Sequence, residues 1–298
     1  MARILFRVLC VVVSLFISAQ VGVAQARQDG GGGTERPAKV TTAMELPFRL
    51  LDGYLIVVEG RIGEQEHLKF ALDTGATFSV LKTTLARPEF VRRAARRVVN
   101  LERVMDQGMI EVSDVQLGPI RIAALPMMLN TLNYLGSGAA SVDAVIGLDV
   151  LRLKSFTIDF GRKRILLGQA TALRSSAPLE MTTSYISVEV RSYARPLRLI
   201  VDSGVRSILL YHDRIADRMP AMRSAGTIEA KSFGGESSLD LVTLPPVQLG
   251  RHDLDRRAVM SGRAPEALWT GIDGYLGLNA LDARLCSISW EEGTLSWE

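Results

Sequence analysis

The chain is predicted to be mostly β and to consist of two homologous lobes. Three observations predict this. Asp73-Thr74-Gly75 recurs as Asp202-Ser203-Gly204, 129 residues later (202 − 73). Val145-Ile146-Gly147-Leu148 places its glycine 74 residues after Asp73 (147 − 73), and Tyr275-Leu276-Gly277-Leu278 places its glycine 75 after Asp202 (277 − 202). Between these markers lie short apolar runs separated by glycine-rich turns, the pattern of strands. A repeat this long is unlike a solenoid's period of a few tens of residues and indicates two copies of a domain-sized unit.

In chain order, Arg3 and Arg7 precede an apolar stretch from Val8 to Ala19, and Ala24-Gln25-Ala26 fits a small-x-small cleavage site. Residues 1–26 therefore read as a secretory signal peptide. The apolar core is shorter than the ~20 residues a membrane-spanning helix needs, with an uncleaved N-terminal anchor as the alternative. Export to the periplasm or the extracellular space is expected, with no stable membrane insertion after cleavage. Only Cys286 would remain in the mature chain, so no intramolecular disulfide is possible, and Cys286 is expected to be a buried strand residue. Residues 27–44 are polar, include Gly30 to Gly33 and read as a flexible linker.

The first lobe is assigned to residues 45–168. Leu55-Ile56-Val57-Val58 reads as a strand, and Leu68-Lys69-Phe70-Ala71-Leu72 as the strand that delivers Asp73. Short helices are expected around Pro88 to Arg97 and after Gly147, where Leu148 and Leu151 recur at helical spacing. Phe156-Thr157-Ile158-Asp159-Phe160 closes the lobe as a strand. Residues 169–178 are polar and read as an inter-lobe linker whose flexibility lets the lobes shift against each other.

The second lobe, 179–298, repeats the scheme. Ile186-Ser187-Val188-Glu189-Val190 is a strand, and Leu197-Arg198-Leu199-Ile200-Val201 leads into Asp202 as residues 68–72 lead into Asp73. Val247-Gln248-Leu249-Gly250 echoes Val115-Gln116-Leu117-Gly118, and Leu281, Ile288 and Trp290 echo Leu151, Ile158 and Phe160 at a constant offset of 130 (281 − 151). Ser232-Phe233-Gly234-Gly235-Glu236 lies between plausible strands, as the tip of a hairpin would.

The paired triplets and downstream glycines resemble the aspartic proteases of the pepsin and retropepsin type over most of residues 45–298. Asp-Thr-Gly-Ala at 73–76 is most similar to the bacterial and retroviral retropepsin-like form, while two lobes in one chain are similar to the pepsin arrangement. The resemblance implies two retropepsin-like (acid protease) β-barrel lobes with short helices and a central cleft. It implies that Asp73 and Asp202 are the catalytic dyad, and that Thr74 and Ser203 hydrogen-bond across the lobe interface to brace it. Gly147 and Gly277 then sit beside the catalytic loops, where a side chain would obstruct the crossing chain, and Phe233, Gly234 and Gly235 form a flap tip. The region that would hold the pepsin-type flap tyrosine, Leu101 to Ile110, contains no tyrosine.

The chemistry stands without the family. Two carboxylates a few ångströms apart cannot both ionise easily, so the pair shares a proton and titrates in two separated steps. One member can act as base while the other acts as acid, either serving as base in a given microstate. Gly75 and Gly204 are expected to permit a tight turn with positive φ and close backbone approach. Ala76 and Val205, the residues that follow, carry no hydroxyl to lower a carboxyl pKa, so the dyad should be less acidic than a pepsin's and active toward neutral pH.

Taken singly, either triplet could be a surface turn and either downstream glycine a strand bulge; their matched spacing favours the site. Net charge is +3 and the sequence pI about 9.0, which calls for no polyanionic partner. Arg92-Arg93-Ala94-Ala95-Arg96-Arg97, the one basic cluster, reads as a solvated face rather than a nucleic-acid surface. Three histidines, no cysteine pairs and no His-Glu-x-x-His leave no metal motif, and no cofactor is called for. The expected partner is a polypeptide substrate, and a monomer suffices because one chain carries both half-sites. The competing reading is a catalytically silent peptide-binding module, for which Val205 and Arg206 are the hints; a structural envelope protein is a third.

Overall fold

The computed structural model describes residues 8–10, 14–15, 44–99, 103–136, 138–192, 195–217, 222–254, 256–261, 263–265 and 269–298. Apart from Val8–Cys10, parallel to Ala230–Ser232, and Ser14–Leu15, antiparallel to Val98–Val99, the expected signal peptide and the linker as far as residue 43 lie outside them. Among the described residues no helix is long and apolar enough to cross a membrane.

The fold is mostly β and two-lobed, and the repeated sequence markers fall on a repeated three-strand unit. In the first lobe Gln65–Leu72 runs parallel to Ala144–Ile146, which pairs antiparallel with Val80–Lys82. In the second, Leu197–Val201 runs parallel to Gly274–Leu276, which pairs antiparallel with Ile208–Tyr211. The segments of these strands next to the dyad loops are apolar because both faces are covered there; Phe70, Val145, Leu199 and Leu276 are fully buried. The Asp-Thr/Ser-Gly loop leaves the end of the first strand, and Gly147 or Gly277 follows directly on the second. The expected short helices are present after those glycines, as an α-turn at Leu148–Leu151 and a 3-10 turn at Leu278–Leu281.

The lobes join through a shared sheet. Phe156–Asp159 pairs antiparallel with Leu285–Ser289, setting Phe156 opposite Ile288 and Ile158 opposite Cys286. Each strand continues into its own hairpin, with Arg164–Leu167 on one side and Thr294–Trp297 on the other. Cys286 is buried there as expected, and burial pushes its thiol up to about 12. Met44–Leu51 and Ser175–Pro178, the entry strands of the two lobes, pair with the far sides of these hairpins. This corrects the linker expectation: residues 175–178 are a strand paired with 294–297, and Thr171 N–H donates to Ser287 Oγ (2.9 Å). A shared sheet, rather than a flexible tether, sets how the lobes meet.

A second correction concerns residues 88–97. Val91–Val99 is a strand of a long hairpin with Val104–Leu117, not a helix. Alanine and arginine favour helices intrinsically, but tertiary pairing overrides that preference. Arg93 pairs with Glu111 and Arg97 with Asp106 across the hairpin, and the Arg96 guanidinium stacks over Phe78 at 5.3 Å. The register shifts between Arg93 and Arg96, so Ala94 and Ala95 are absorbed as an irregularity. The second lobe carries the matching hairpin, Arg223–Ser232 with Gly235–Thr243.

Candidate active site

Asp73 and Asp202 are brought face to face at the lobe seam. Each strand hands its aspartate to the centre in the same way. Asp73 N–H donates to Ile146 O (3.0 Å) and Asp202 N–H to Leu276 O (2.9 Å), tying each loop to the strand before its glycine. Gly75 N–H then donates to Asp73 Oδ1 (2.9 Å), and Gly204 N–H to Asp202 Oδ1 (2.7 Å).

The two loops are braced reciprocally. Thr74 N–H donates to Ser203 Oγ and Ser203 N–H to Thr74 Oγ1, both at 3.0 Å. The hydroxyls in turn donate to carbonyls of the opposite lead-in strands, Thr74 Oγ1 to Val201 O and Ser203 Oγ to Leu72 O, both at 2.9 Å. Both side chains are buried, so each bond lost would leave a desolvated group unpaired, at roughly 1–3 kcal/mol. Thr74→Val keeps the volume and strands Ser203 N–H and Val201 O. It is expected to lower the melting temperature by roughly 5–10 °C, while Thr74→Ser stays near wild type. Calorimetry of the two variants checks this; equal melting temperatures would count against the brace.

Gly75 and Gly204 do not have positive φ, contrary to expectation. They are needed for space instead. A Cβ on Gly204 would lie 3.0 Å from Asp73 Oδ2 and 3.1 Å from Asp202 Oδ1, and one on Gly75 would overlap the Asp202 carboxyl. The same holds for the downstream pair. A Cβ on Gly147 would fall 2.7 Å from Ala76 O, and one on Gly277 2.7 Å from Ser207 O, so a side chain at either would obstruct the crossing loop as expected.

Both carboxyls are completely buried. Burial pushes Asp73 up to about 7. Burial and then the charge of Asp73 hold Asp202 well above the usual carboxylate range. The pair therefore carries a proton around neutral pH, which is the state acid-base work requires. Asp73 Oδ2 and Asp202 Oδ2 have no hydrogen-bond partner. The apolar residues after the glycines turn away into the cores: Ala76 is packed in a first-lobe cluster and Val205 in a second-lobe cluster. Arg206 is half-buried and lines a groove of the second lobe with Leu254 and Asn279.

Phe233 and Gly234 form the turn of the hairpin from Arg223 to Thr243, and Gly235 opens its second strand opposite Ser232. Gly235 has φ +125°, which glycine adopts without strain. Phe233 is buried in the first-lobe cluster that holds Ala76 and Val145, so the tip of a second-lobe hairpin reaches across to the first lobe. The turn of the first-lobe hairpin falls partly outside the described residues.

Two residues near the dyad are unpredicted. Asp149 accepts from Ser79 N–H (2.9 Å) and Ser79 Oγ–H (2.7 Å), and Ser79 Oγ accepts from Gly147 N–H (3.1 Å). Burial pushes Asp149 up to about 6. An acidic residue two positions past Gly147 in an apolar run was the available signal. Asn279 holds the matching place in the second lobe (279 − 149 = 130). The other is Tyr134, for which the sequence offered no signal.

Residues 58–150 match the family model described as aspartyl protease, a span that holds Asp73 and Gly147 and stops short of the second triplet. This supports the aspartic protease family at its coarse level. No curated protein matches in sequence. Similar solved structures include basic 7S globulin from soybean, at 12% identity over 86% of this chain and 94% of that one, with a TM-score of 0.48. Conglutin gamma, a basic 7S globulin from lupine seeds, is similar at 11% identity over 85% and 93%, also with a TM-score of 0.48.

Proposed function

We propose that this chain, whose first lobe matches the aspartyl proteases, is an exported, single-chain, retropepsin-like aspartic endopeptidase that hydrolyses peptide bonds at the Asp73–Asp202 dyad. The observation that carries the reading is the convergence of two buried carboxyls from duplicated loops, cross-braced and with an unpartnered oxygen on each. Export rests on Arg3, Arg7, the apolar run from Val8 and the Ala24-Gln25-Ala26 site.

In this mechanism a water lies between the two Oδ2 atoms. The ionised carboxylate takes its proton as the water oxygen attacks the peptide carbonyl carbon, and the protonated carboxyl donates to the carbonyl oxygen as charge develops there. The resulting gem-diol collapses as the proton held by the base passes to the amide nitrogen and a gem-diol hydroxyl gives its proton to the other, now ionised, carboxylate. The C–N bond breaks, an acid and an amine leave, and the dyad returns to one proton. No covalent intermediate forms. The brace matters because a displacement of about an ångström costs on the order of a hundredfold in rate. The hairpin tip at Phe233 serves as the flap, closing over an extended peptide and excluding water.

The test is cleavage of an unfolded protein by the purified chain, with a statine-type analogue as competitor and kcat/KM followed against pH. With Asp73 pushed up to about 7, the base is ionised only from around neutral pH upward. Activity should therefore persist at neutral pH and fall as pH drops and both carboxyls become protonated. Cleavage confined to strongly acidic conditions would contradict this electrostatic picture. Tight binding of the analogue with no cleavage would make the chain a peptide-binding module.

A further inference from the structure

Tyr134 stands on a single 3-10 turn, Asn133–Leu135, whose buried Leu135 anchors it in the first-lobe cluster. Its ring packs against that cluster, which includes Ala76 of the catalytic loop, and meets Phe233 of the opposite hairpin edge-to-face at 6.4 Å. Tyr134 thus packs against the first-lobe cluster and the tip of the second-lobe hairpin, near enough to Asp73 to feel its charge. The residue is partly exposed, yet its hydroxyl oxygen is buried and has no hydrogen-bond partner. A buried hydroxyl left unpaired is costly, and tyrosines buried at this level ordinarily find a partner. The matching position of the second lobe, 13 residues before its glycine (277 − 264) as Tyr134 is before Gly147 (147 − 134), holds Ala264, also packed in its lobe's cluster. The fold itself therefore does not require a hydroxyl at this place.

We propose that Tyr134 is the substrate-positioning residue of this cleft, its Oη–H donating to a backbone carbonyl of a peptide held between the dyad and the Phe233 hairpin. The inference rests on the peptide-hydrolase reading of the same site. A phenol has one donor to offer, and an extended peptide presents a carbonyl at every residue. Burial and the charge of Asp73 hold the phenol well above its ordinary range, so it stays a donor throughout the working pH. The ring contact also couples the two events: the hairpin that closes over the peptide is the one that seats the tyrosine.

Tyr134→Phe removes the hydroxyl and keeps the ring against Phe233. Because the hydroxyl has no partner in the free protein, the melting temperature should be equal to wild type or higher. On a peptide substrate kcat/KM should fall about tenfold, the worth of one hydrogen bond, with both pH limbs unmoved because they belong to the dyad. Wild-type kcat/KM in the variant overturns the proposal, as does a fall in activity matched by a fall in melting temperature. Calorimetric binding of a statine-type peptide analogue separates this from failure of the protease reading. About tenfold weaker binding to Tyr134→Phe supports the assignment even if neither protein cleaves. Equal binding by the two proteins, or none by the wild type, overturns it.

Discussion

Asp73→Asn and Asp202→Asn are each expected to reduce cleavage by at least about a thousandfold, since one acid-base group supplies roughly 10²–10⁴ and these two act as a unit. The same substitutions should stabilise the fold at neutral pH. Asp73 titrates at about 7 in the folded chain and near 4 when unfolded, so between those values the native state binds more protons than the unfolded one. Stability is then fully present below about pH 4 and declines as pH rises through 7, by an amount on the order of a few kcal/mol. An amide at the same position carries no charge to desolvate and removes this loss. Thermal melts of wild type and Asp73→Asn from pH 4 to 8 should converge at the acid end and separate at neutral pH, with the variant higher. Unchanged cleavage in either variant eliminates the dyad mechanism, whereas parallel melting curves count only against the electrostatic account.

Gly277→Ala is expected to be among the most damaging single-methyl changes at the described residues. The new Cβ would press on Val205 O and lie 2.7 Å from Ser207 O and 2.9 Å from Ser207 N, all backbone atoms that cannot swing aside. Gly277 N–H also donates to Ser207 O (2.9 Å), so relieving the clash breaks the bond that holds the crossing chain. Overpacking costs about 1–3 kcal/mol when side chains can yield, and backbone on each side places this case at or beyond the upper end. The displaced segment begins directly after Gly204, so misplacement of Asp202 should add a rate loss of about a hundredfold. Gly108→Ala is the control. Gly108 is exposed and a Cβ there would meet nothing within 4 Å, so that variant should melt within about 1 °C of wild type. A soluble, fully active Gly277→Ala would show that the glycine is dispensable.

The site was legible in the sequence because duplication wrote the same local signals twice. Asp73 and Asp202, Thr74 and Ser203, and Gly147 and Gly277 stood out by their repeated spacing, and each has the neighbours that the resemblance to aspartic proteases implied. Each triplet and each apolar-apolar-glycine segment is specified by a few adjacent residues, and duplication repeats them at matched intervals. What failed depended on distant partners. Residues 91–99 carry helix-favouring alanines and arginines and are nonetheless a strand, because Glu111, Asp106 and Phe78 receive the guanidinium groups. Residues 175–178 are polar, as a linker would be, and become a strand because Thr294–Trp297 offers an open edge.

Sequence alone determined which two carboxyls meet and that they do so across two copies of one unit, because each copy's loop is specified by its own short, repeated motif. Tertiary structure decided why Gly75 and Gly204 are glycine, since the limit is the opposite lobe's carboxyl rather than the local turn. It also decided that a tyrosine 61 residues past Asp73 (134 − 73) belongs to the site. Nothing local to Tyr134 distinguishes it from any partly buried tyrosine; the packing that sets its ring against the first-lobe cluster and Phe233 joins residues far apart in the chain, and only the folded protein brings them together.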